Sequence, residues 1–155
     1  MAKVKEILIA PKANASIMSL SQAQLDAGKG IMGDRYYSAQ GTFSERLKQL
    51  PDIELTLIEQ EQIEQFNDIT SSHYSGVDFR RNIVTEGINL NELVGKIFTI
   101  GNVSCRGIRL CEPCGHLAKQ LGSEILVHML NRGGLRAQIL SDGQIQLGNA
   151  ITLIY

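Results

Sequence analysis

The chain has 155 residues, of which 43% are hydrophobic and 20% charged, and its formal net charge is -1 at pH 7. This length and composition are ordinary for a globular protein with one core, so we expect a single domain over residues 1–155. The small net charge provides no field that would attract nucleic acid or an anionic membrane, and no apolar run approaches the roughly 20 residues that span a bilayer. Three cysteines without a signal-peptide pattern argue against a secreted disulfide framework, so we expect a cytoplasmic protein.

Many short segments have the composition of β-strands, and only a few have the periodicity of helices. The strand segments are β-branched or alternating and are bounded by Pro, Gly and Asn, and the pair Gly101-Asn102 predicts a hairpin turn. Numerous short strands with a few inserted short helices predict a mainly β fold and favour a bent β-barrel. The predicted strands are residues 4–10, 17–20, 53–58, 77–85, 96–101, 103–110, 135–140, 144–147 and 150–154, and the predicted helical segments are residues 59–66, 90–94, 115–121 and 124–131.

Residues 28–41 form a different kind of segment, in which four glycines punctuate polar and aromatic residues. This pattern predicts an irregular loop, which is either a surface excursion or the lining of a site. Asp34 and Arg35 are accordingly candidates either to contact a ligand or to form an ion pair that caps the loop.

Two thiols, Cys111 and Cys114, lie three residues apart at the end of a predicted strand, where Pro113 breaks the strand and a helix follows. A thiol at such a turn faces free backbone N–H groups and the positive end of the helix dipole. Arg109 is close in sequence, and both effects favour the thiolate. Cys114 is therefore the best candidate in the chain for a reactive or metal-ligating sulfur.

Other interpretations of the cysteines stay open. Cys111 is either a resolving partner of Cys114 or a packed strand residue, and the βαβ context of a thioredoxin-type pair is absent. Cys114 itself has the alternative of being a small buried hydrophobe. A zinc site has the necessary atoms in Cys105, Cys111, Cys114 and His116, although structural zinc usually draws two separated ligand pairs.

Several short pieces of the chain occur in the order known for one protein family; they are residues 30–36, 80–84, 93–95, 98–101, 111–114, 133–137 and 143–145. On these pieces the chain resembles a stand-alone MOSC domain, a family named after the C-terminal domain of molybdenum-cofactor sulfurases. The resemblance implies a strongly bent, mostly β-barrel-like fold and an essential cysteine, which by motif position is Cys114. One departure is Asn149, where the family's closing Gly-Asp turn has an acid; Asn keeps the turn chemistry.

The resemblance implies two functions for Cys114. In the first, the chain binds the molybdenum cofactor (molybdopterin), Cys114 ligates molybdenum, and the protein reduces N-hydroxylated small molecules. A separate redox partner is then required, because the sequence has no flavin, haem or iron–sulfur motif. In the second, Cys114 carries a persulfide for metal–sulfur cofactor maturation and receives its sulfur from a desulfurase. A third, non-catalytic alternative is a module that stores or delivers the cofactor.

Further cofactor-binding candidates also depend on the resemblance. The cofactor carries a phosphate, which an Arg fork binds in bidentate fashion. Because neighbours on a strand point to opposite faces, we expect one of Arg80 and Arg81 to face the pocket, and we favour Arg81 with Asn82. The remaining candidates are Asp34, Arg35, Arg109 and Arg136.

Overall fold

The computed structural model describes residues 1–42, 44, 50–113 and 115–154. No helix within these ranges has both the length and the apolar character needed to cross a membrane. The strands are β1 (Lys3–Ile9), β2 (Met18–Leu20), β3 (Gln22–Asp26), β4 (Gly30–Ile31), β5 (Leu55–Glu59), β6 (Ile83–Glu86), β7 (Ile97–Ile100), β8 (Val103–Leu110), β9 (Leu135–Ile139), β10 (Gly143–Gln146) and β11 (Ile151–Ile154). The α-helices are α1 (Gln60–Thr70), α2 (Gly76–Phe79), α3 (Gly115–Leu121) and α4 (Glu124–His128), and short 3-10 turns occupy Pro51–Ile53 and Leu90–Leu93.

The larger sheet has eight strands in the order β11-β7-β8-β9-β5-β6-β1-β2. Its neighbouring strands are antiparallel except β5 and β6, which are parallel because α1 and α2 lie between them in sequence. The sheet curls until β1 and β11 meet, where Lys3 bridges Ala150 and the Val4 amide donates to the Asn149 carbonyl at 3.0 Å. Strands β10, β3 and β4 form a second, smaller sheet. The predicted mainly β fold with a bent barrel is therefore confirmed.

The larger sheet buries apolar side chains on both of its faces. On β9, Leu135, Ala137 and Ile139 point inward and are at most 1% exposed, whereas Arg136 and Gln138 point outward. This is the period-two alternation of a strand. The inward residues belong to the barrel interior, and a second apolar cluster lies on the outer face, under helices α1, α3 and α4. Each fully buried Leu or Ile contributes about 1.5–3 kcal/mol, so both layers stabilise the fold.

The predicted strand over residues 77–85 is wrong for residues 77–82. Residues Gly76–Phe79 form α2, and the strand β6 begins only at Ile83. A capping box starts the helix: the Ser75 amide donates to Asp78 Oδ2 at 2.8 Å. This local hydrogen bonding outweighs the β propensity of the apolar residues in the segment.

Candidate anion-binding pocket

A pocket lies on the outer face of the larger sheet, beside the end of α2 and the side of α3. Its cavity volume is about 50 Å³, which is room for a few water molecules or one small oxyanion. It draws its wall from the glycine-rich loop, from β5 and β9, and from the segment that follows β8. The lining residues are Arg35, Tyr36, Thr42, Thr56, Phe79, Arg80, Arg81, Cys111, Leu117, Gln120 and Arg136.

The described lining of this pocket carries four arginines and no acidic side chain. Asp34, behind the wall, offsets part of the charge, since its Oδ1 lies 3.0 Å from Arg35 Nη1. The remaining guanidinium groups give the pocket a net positive charge. Because guanidinium groups offer N–H donors in a planar fork, the pocket is suited to a phosphate or another oxyanion.

Arg80 lines this pocket and has one side-chain donor without a partner among the described residues. Its Nη1 donates to the Ala15 carbonyl at 2.9 Å, whereas its Nη2 is buried and has no partner in the described part of the chain. Burial lowers the pKa of Arg80, and the nearby charge of Arg35 lowers it further, but a guanidinium remains charged at neutral pH. An unmade hydrogen bond from a buried donor costs about 1–3 kcal/mol. A bound anion would offset that cost.

Arg81 also lines the pocket, but its guanidinium is committed to backbone carbonyls. It donates to Gly133 at 3.1 Å, to Phe79 at 3.1 Å and to Cys111 at 3.3 Å. Arg81 therefore ties three chain segments together. The alternation argument for choosing between Arg80 and Arg81 does not apply, because Arg80 ends a helix in the left-handed region with φ 57°.

Two predicted site residues lie behind the wall and support it. Asn82 is 2% exposed, its Oδ1 accepts from the Thr56 amide and hydroxyl, both at 3.1 Å, and its Nδ2 donates to the Leu8 carbonyl. Asp34 is 1% exposed and accepts from the Ala10 amide at 3.1 Å. Both residues are therefore occupied with internal contacts that hold pocket residues in place.

The two other predicted arginines face each other across β8 and β9, where Arg109 is the register partner of Arg136. Arg136 lines the pocket, whereas Arg109 is exposed and is not part of the described lining. A register shift between Gly107 and Arg109 interrupts the alternation of β8 at this point. Of the two arginines, the structure thus brings only Arg136 to the pocket.

The cysteines lie in different surroundings. Cys114 lies outside the described residues, as does the side chain of His116. Cys111 is 2% exposed and lines the pocket, and its amide donates to the Gly134 carbonyl at 2.7 Å. Cys105 lies in the barrel interior, where burial raises the pKa of its thiol to about 12, assisted by the charge of Glu54. Six residues of strand separate the Cα atoms of Cys105 and Cys111 by about 20 Å, so they cannot ligate one zinc ion.

A family model described as MOSC domain matches residues 44–152. The chain belongs to the MOSC domain family.

Solved structures agree with this MOSC membership. The YuaD protein of Bacillus subtilis superposes with a TM-score of 0.81 at 15% identity, covering 98% of this chain and 94% of that one. YiiM of Geobacillus stearothermophilus superposes with a TM-score of 0.76 at 13% identity, covering 100% of this chain and 76% of that one. YiiM of Escherichia coli superposes with a TM-score of 0.72 at 17% identity, covering 99% of this chain and 70% of that one. At these identities the likeness concerns the fold, and no curated protein sequence matches the chain.

Two adjacent glycines let the MOSC chain pass close to the pocket wall. A Cβ on Gly133 would collide with the Cys111 carbonyl, and one on Gly134 would collide with the Leu57 carbonyl. Gly134 also has φ 112°, which an L side chain rarely adopts. The glycine pair, which lies in the matching piece 133–137, therefore permits the close approach of three backbone segments.

Sequence reasoning missed several residues of the lining, including Tyr36, Thr56 and Gln120. Thr56 had a readable signal, because it is a polar residue at an outward position of an otherwise apolar strand. Gln120 had no such signal in the sequence, because a glutamine on a short helix is usually exposed to solvent.

Proposed function

We propose that this MOSC protein binds the molybdenum cofactor and that its arginine pocket holds the cofactor's phosphate. The observation that carries the proposal is the buried Nη2 of Arg80, which has no partner among the described residues and lines a pocket with three further arginines. Such a donor set fits an oxyanion better than it fits a neutral ligand.

The thiol chemistry of the chain also fits this cofactor. Molybdenum in pterin cofactors is held by soft sulfur atoms, and a protein thiolate is a suitable further ligand. We assign that role to Cys114. Its sequence neighbours at three residues on either side, Cys111 and Leu117, both line the pocket, which supports the assignment.

The reaction we propose is the reduction of N-hydroxylated small molecules. The N–O bond breaks, the oxygen leaves as water, and two electrons and two protons are consumed. When bound, the cofactor would supply the electron transfer, with electrons delivered by a separate redox partner. The arginines of this chain would bind and orient the anionic end of the cofactor, and the apolar side chains of Phe79 and Leu117 would limit water beside it.

The proposal includes one MOSC domain over the whole chain in the cytoplasm. The segment before residue 44 is tied to the matched region, because β1 pairs with β6 and β3 pairs with β10.

The test is the metal and pterin content of protein purified from cells that make the cofactor. We expect stoichiometric molybdenum and pterin in the wild type and loss of molybdenum in Cys114→Ser. Cys105→Ala is the matched control, because its thiol lies in the barrel interior, and it should retain both.

The same preparations distinguish the alternative function. Absence of molybdenum together with cyanide-releasable sulfur on Cys114 would favour a persulfide carrier. Full molybdenum content and unchanged reduction of hydroxylamine-type substrates in Cys114→Ser would refute the role of this thiol.

A further inference from the structure

The positive charges around the arginine pocket are not balanced by acids in its wall. Arg35, Arg80, Arg81 and Arg136 line the cavity, whereas the described lining contains no carboxylate. Burial lowers the pKa of Arg80 most, and the neighbouring charge of Arg35 lowers it further. Positive charges that repel one another are stabilised by an anion, and a second negative charge on that anion adds to the attraction. The pocket should therefore respond to the charge of its ligand as well as to its shape.

Asp34, behind the wall, is not available to a ligand, because both of its oxygen atoms accept internal hydrogen bonds. Its Oδ1 accepts from the Ala10 amide at 3.1 Å and lies 3.0 Å from Arg35 Nη1. Its Oδ2 accepts from the Tyr36 amide at 3.3 Å, and the residue is only 1% exposed. A singly protonated phosphate has an O–H group, which needs an acceptor when it is buried. No carboxylate in the described lining offers one.

The hydroxyl groups of the wall do not require a protonated ligand. Thr56 Oγ1 donates to Asn82 Oδ1 at 3.1 Å and accepts from the Asn82 amide at 3.0 Å, so this hydroxyl is already committed. Tyr36 and Thr42 also line the cavity, and a hydroxyl group can donate to an anion as readily as it accepts. The described wall thus favours a ligand that only accepts hydrogen bonds.

The size of the pocket and its open donor narrow the class of ligand. A cavity of about 50 Å³ has room for one tetrahedral oxyanion. Arg80 Nη2 is a buried donor without a partner among the described residues. A sulfate ion is doubly charged near neutral pH and carries acceptor oxygens only. It therefore matches the donor and the charge of this wall without needing an acceptor from it.

We propose that the arginine pocket binds doubly charged tetrahedral oxyanions in preference to singly charged ones, and that free sulfate is therefore one of its ligands. A free inorganic ion and the dianionic end of a phosphate monoester share this chemistry. That the cofactor's phosphate binds as its dianion rests on the proposed function, whereas the preference for the doubly charged ion does not.

The experiment measures binding of small anions to the full chain by calorimetry at constant ionic strength. Methyl phosphate and methyl sulfate have nearly the same shape. At about pH 8 methyl phosphate is doubly charged, because the second pKa of a phosphate monoester is about 6, whereas methyl sulfate is singly charged. We expect methyl phosphate to bind about tenfold more tightly than methyl sulfate at that pH. Equal affinities, or no binding of inorganic sulfate, would overturn the proposal.

Lowering the pH adds a proton to methyl phosphate and leaves inorganic sulfate doubly charged. From about pH 8 to about pH 5 the affinity for methyl phosphate should fall about tenfold, in proportion to its dianion fraction. The affinity for sulfate should stay within about twofold, because guanidinium groups remain protonated. Circular dichroism would check the fold at each pH.

The sulfate series is the control for titration of the protein itself. In the described part of the chain, the charged and titratable groups at the pocket are those of Asp34, Tyr36, Cys111 and the four arginines. Protonation of any of them would alter sulfate binding as well. An equal fall for both anions, or a constant affinity for methyl phosphate, would overturn the proposal.

Arg80→Gln tests whether the arginine pocket is the place of binding. It should weaken binding of methyl phosphate and of sulfate by about tenfold. Arg132→Gln is the control, because Arg132 is exposed and outside the described lining, and it should weaken neither. Equal effects of the two substitutions would overturn the assignment to this pocket. Molybdenum content is a separate readout: it decides the proposed function alone, whichever anion the pocket prefers.

Discussion

Each face of the eight-stranded sheet has a cysteine, and the surroundings of the two thiols differ. Strand β8 contributes Cys105 to the barrel interior, where the thiol is fully buried among apolar side chains. The residue after that strand, Cys111, lines a pocket with four arginines on the outer face. The comparison shows that the inner face of the sheet serves packing, whereas the outer face combines packing with the arginine pocket.

The reactivity of Cys105 would test this division most strongly. Its pKa is raised from 9.0 to about 12 by burial, so at about pH 8 its thiolate fraction falls about a thousandfold. We expect iodoacetamide to modify Cys105 about a thousandfold more slowly in the folded protein than in the urea-unfolded chain. Peptide mass spectrometry measures both rates. Equal rates would mean that the interior is open to solvent.

The backbone crossing beside the pocket provides the second test. Gly134→Ala places a Cβ against the Leu57 carbonyl at φ 112°, and we expect it to lower the free energy of unfolding by about 3 kcal/mol or more. Gly122→Ala is the control, because Gly122 has φ 98° but no atom near its Cβ position, and it should cost only about 1 kcal/mol. Urea denaturation measures both. Equal losses would show that the close approach is unimportant.

The third test separates the two neighbouring arginines. Arg81→Ala removes donors from three carbonyls, and we expect a loss of about 2 kcal/mol in unfolding free energy. Arg80→Gln removes one hydrogen bond, from Nη1 to the Ala15 carbonyl, and a buried donor without a described partner, so its unfolding free energy should fall by less than that of Arg81→Ala, while its affinity for inorganic phosphate should fall about tenfold. Thermal unfolding and calorimetry measure these effects. A reversal of the two phenotypes would contradict the assignment of Arg81 to structure and Arg80 to binding.

The smallest effect concerns the pH dependence of stability at Glu54. Burial raises the pKa of the Glu54 carboxyl in the folded state above its ordinary value of 4.5. The stabilisation that the protonated carboxyl provides is therefore fully present below pH 4.5 and is lost as the pH rises through the pKa of the folded state. Glu54→Gln should therefore gain stability relative to the wild type as the pH rises from about 4 to about 7. Thermal unfolding of both proteins across this range measures the difference. If Glu54→Gln instead loses stability relative to the wild type as the pH rises, the prediction is contradicted.

Much of the fold was predictable because local signals were consistent. The hairpin at Gly101-Asn102 occurs where its turn residues indicate it, and the helix Gly115–Leu121 follows the strand break predicted at Pro113. The error over the helical residues 77–79 arose because a short capping box, Ser75 with Asp78, competed with apolar residues of β propensity. Short elements offer few residues to average over, so one local hydrogen bond decides the outcome.

The site was less predictable, because its members come together through tertiary structure. Arg35, Arg80 and Arg136 are far apart in sequence, and only the pairing of strands and the end of α2 unite them. Asn82 and Arg81 are polar residues in a motif, but their contacts with backbone atoms cannot be read from composition. A sequence shows which residues can bind an anion, while the fold decides which of them are committed to the backbone instead.

The most direct test of the arginine pocket is the cofactor content of the Arg80→Gln, Arg136→Gln double variant. Protein from cofactor-producing cells would be assayed for molybdenum and pterin, with Arg132→Gln, an exposed arginine outside the described lining, as control. We predict that the double variant stays folded but loses both molybdenum and pterin, while the control retains both. Full molybdenum and pterin content in the double variant would contradict the account.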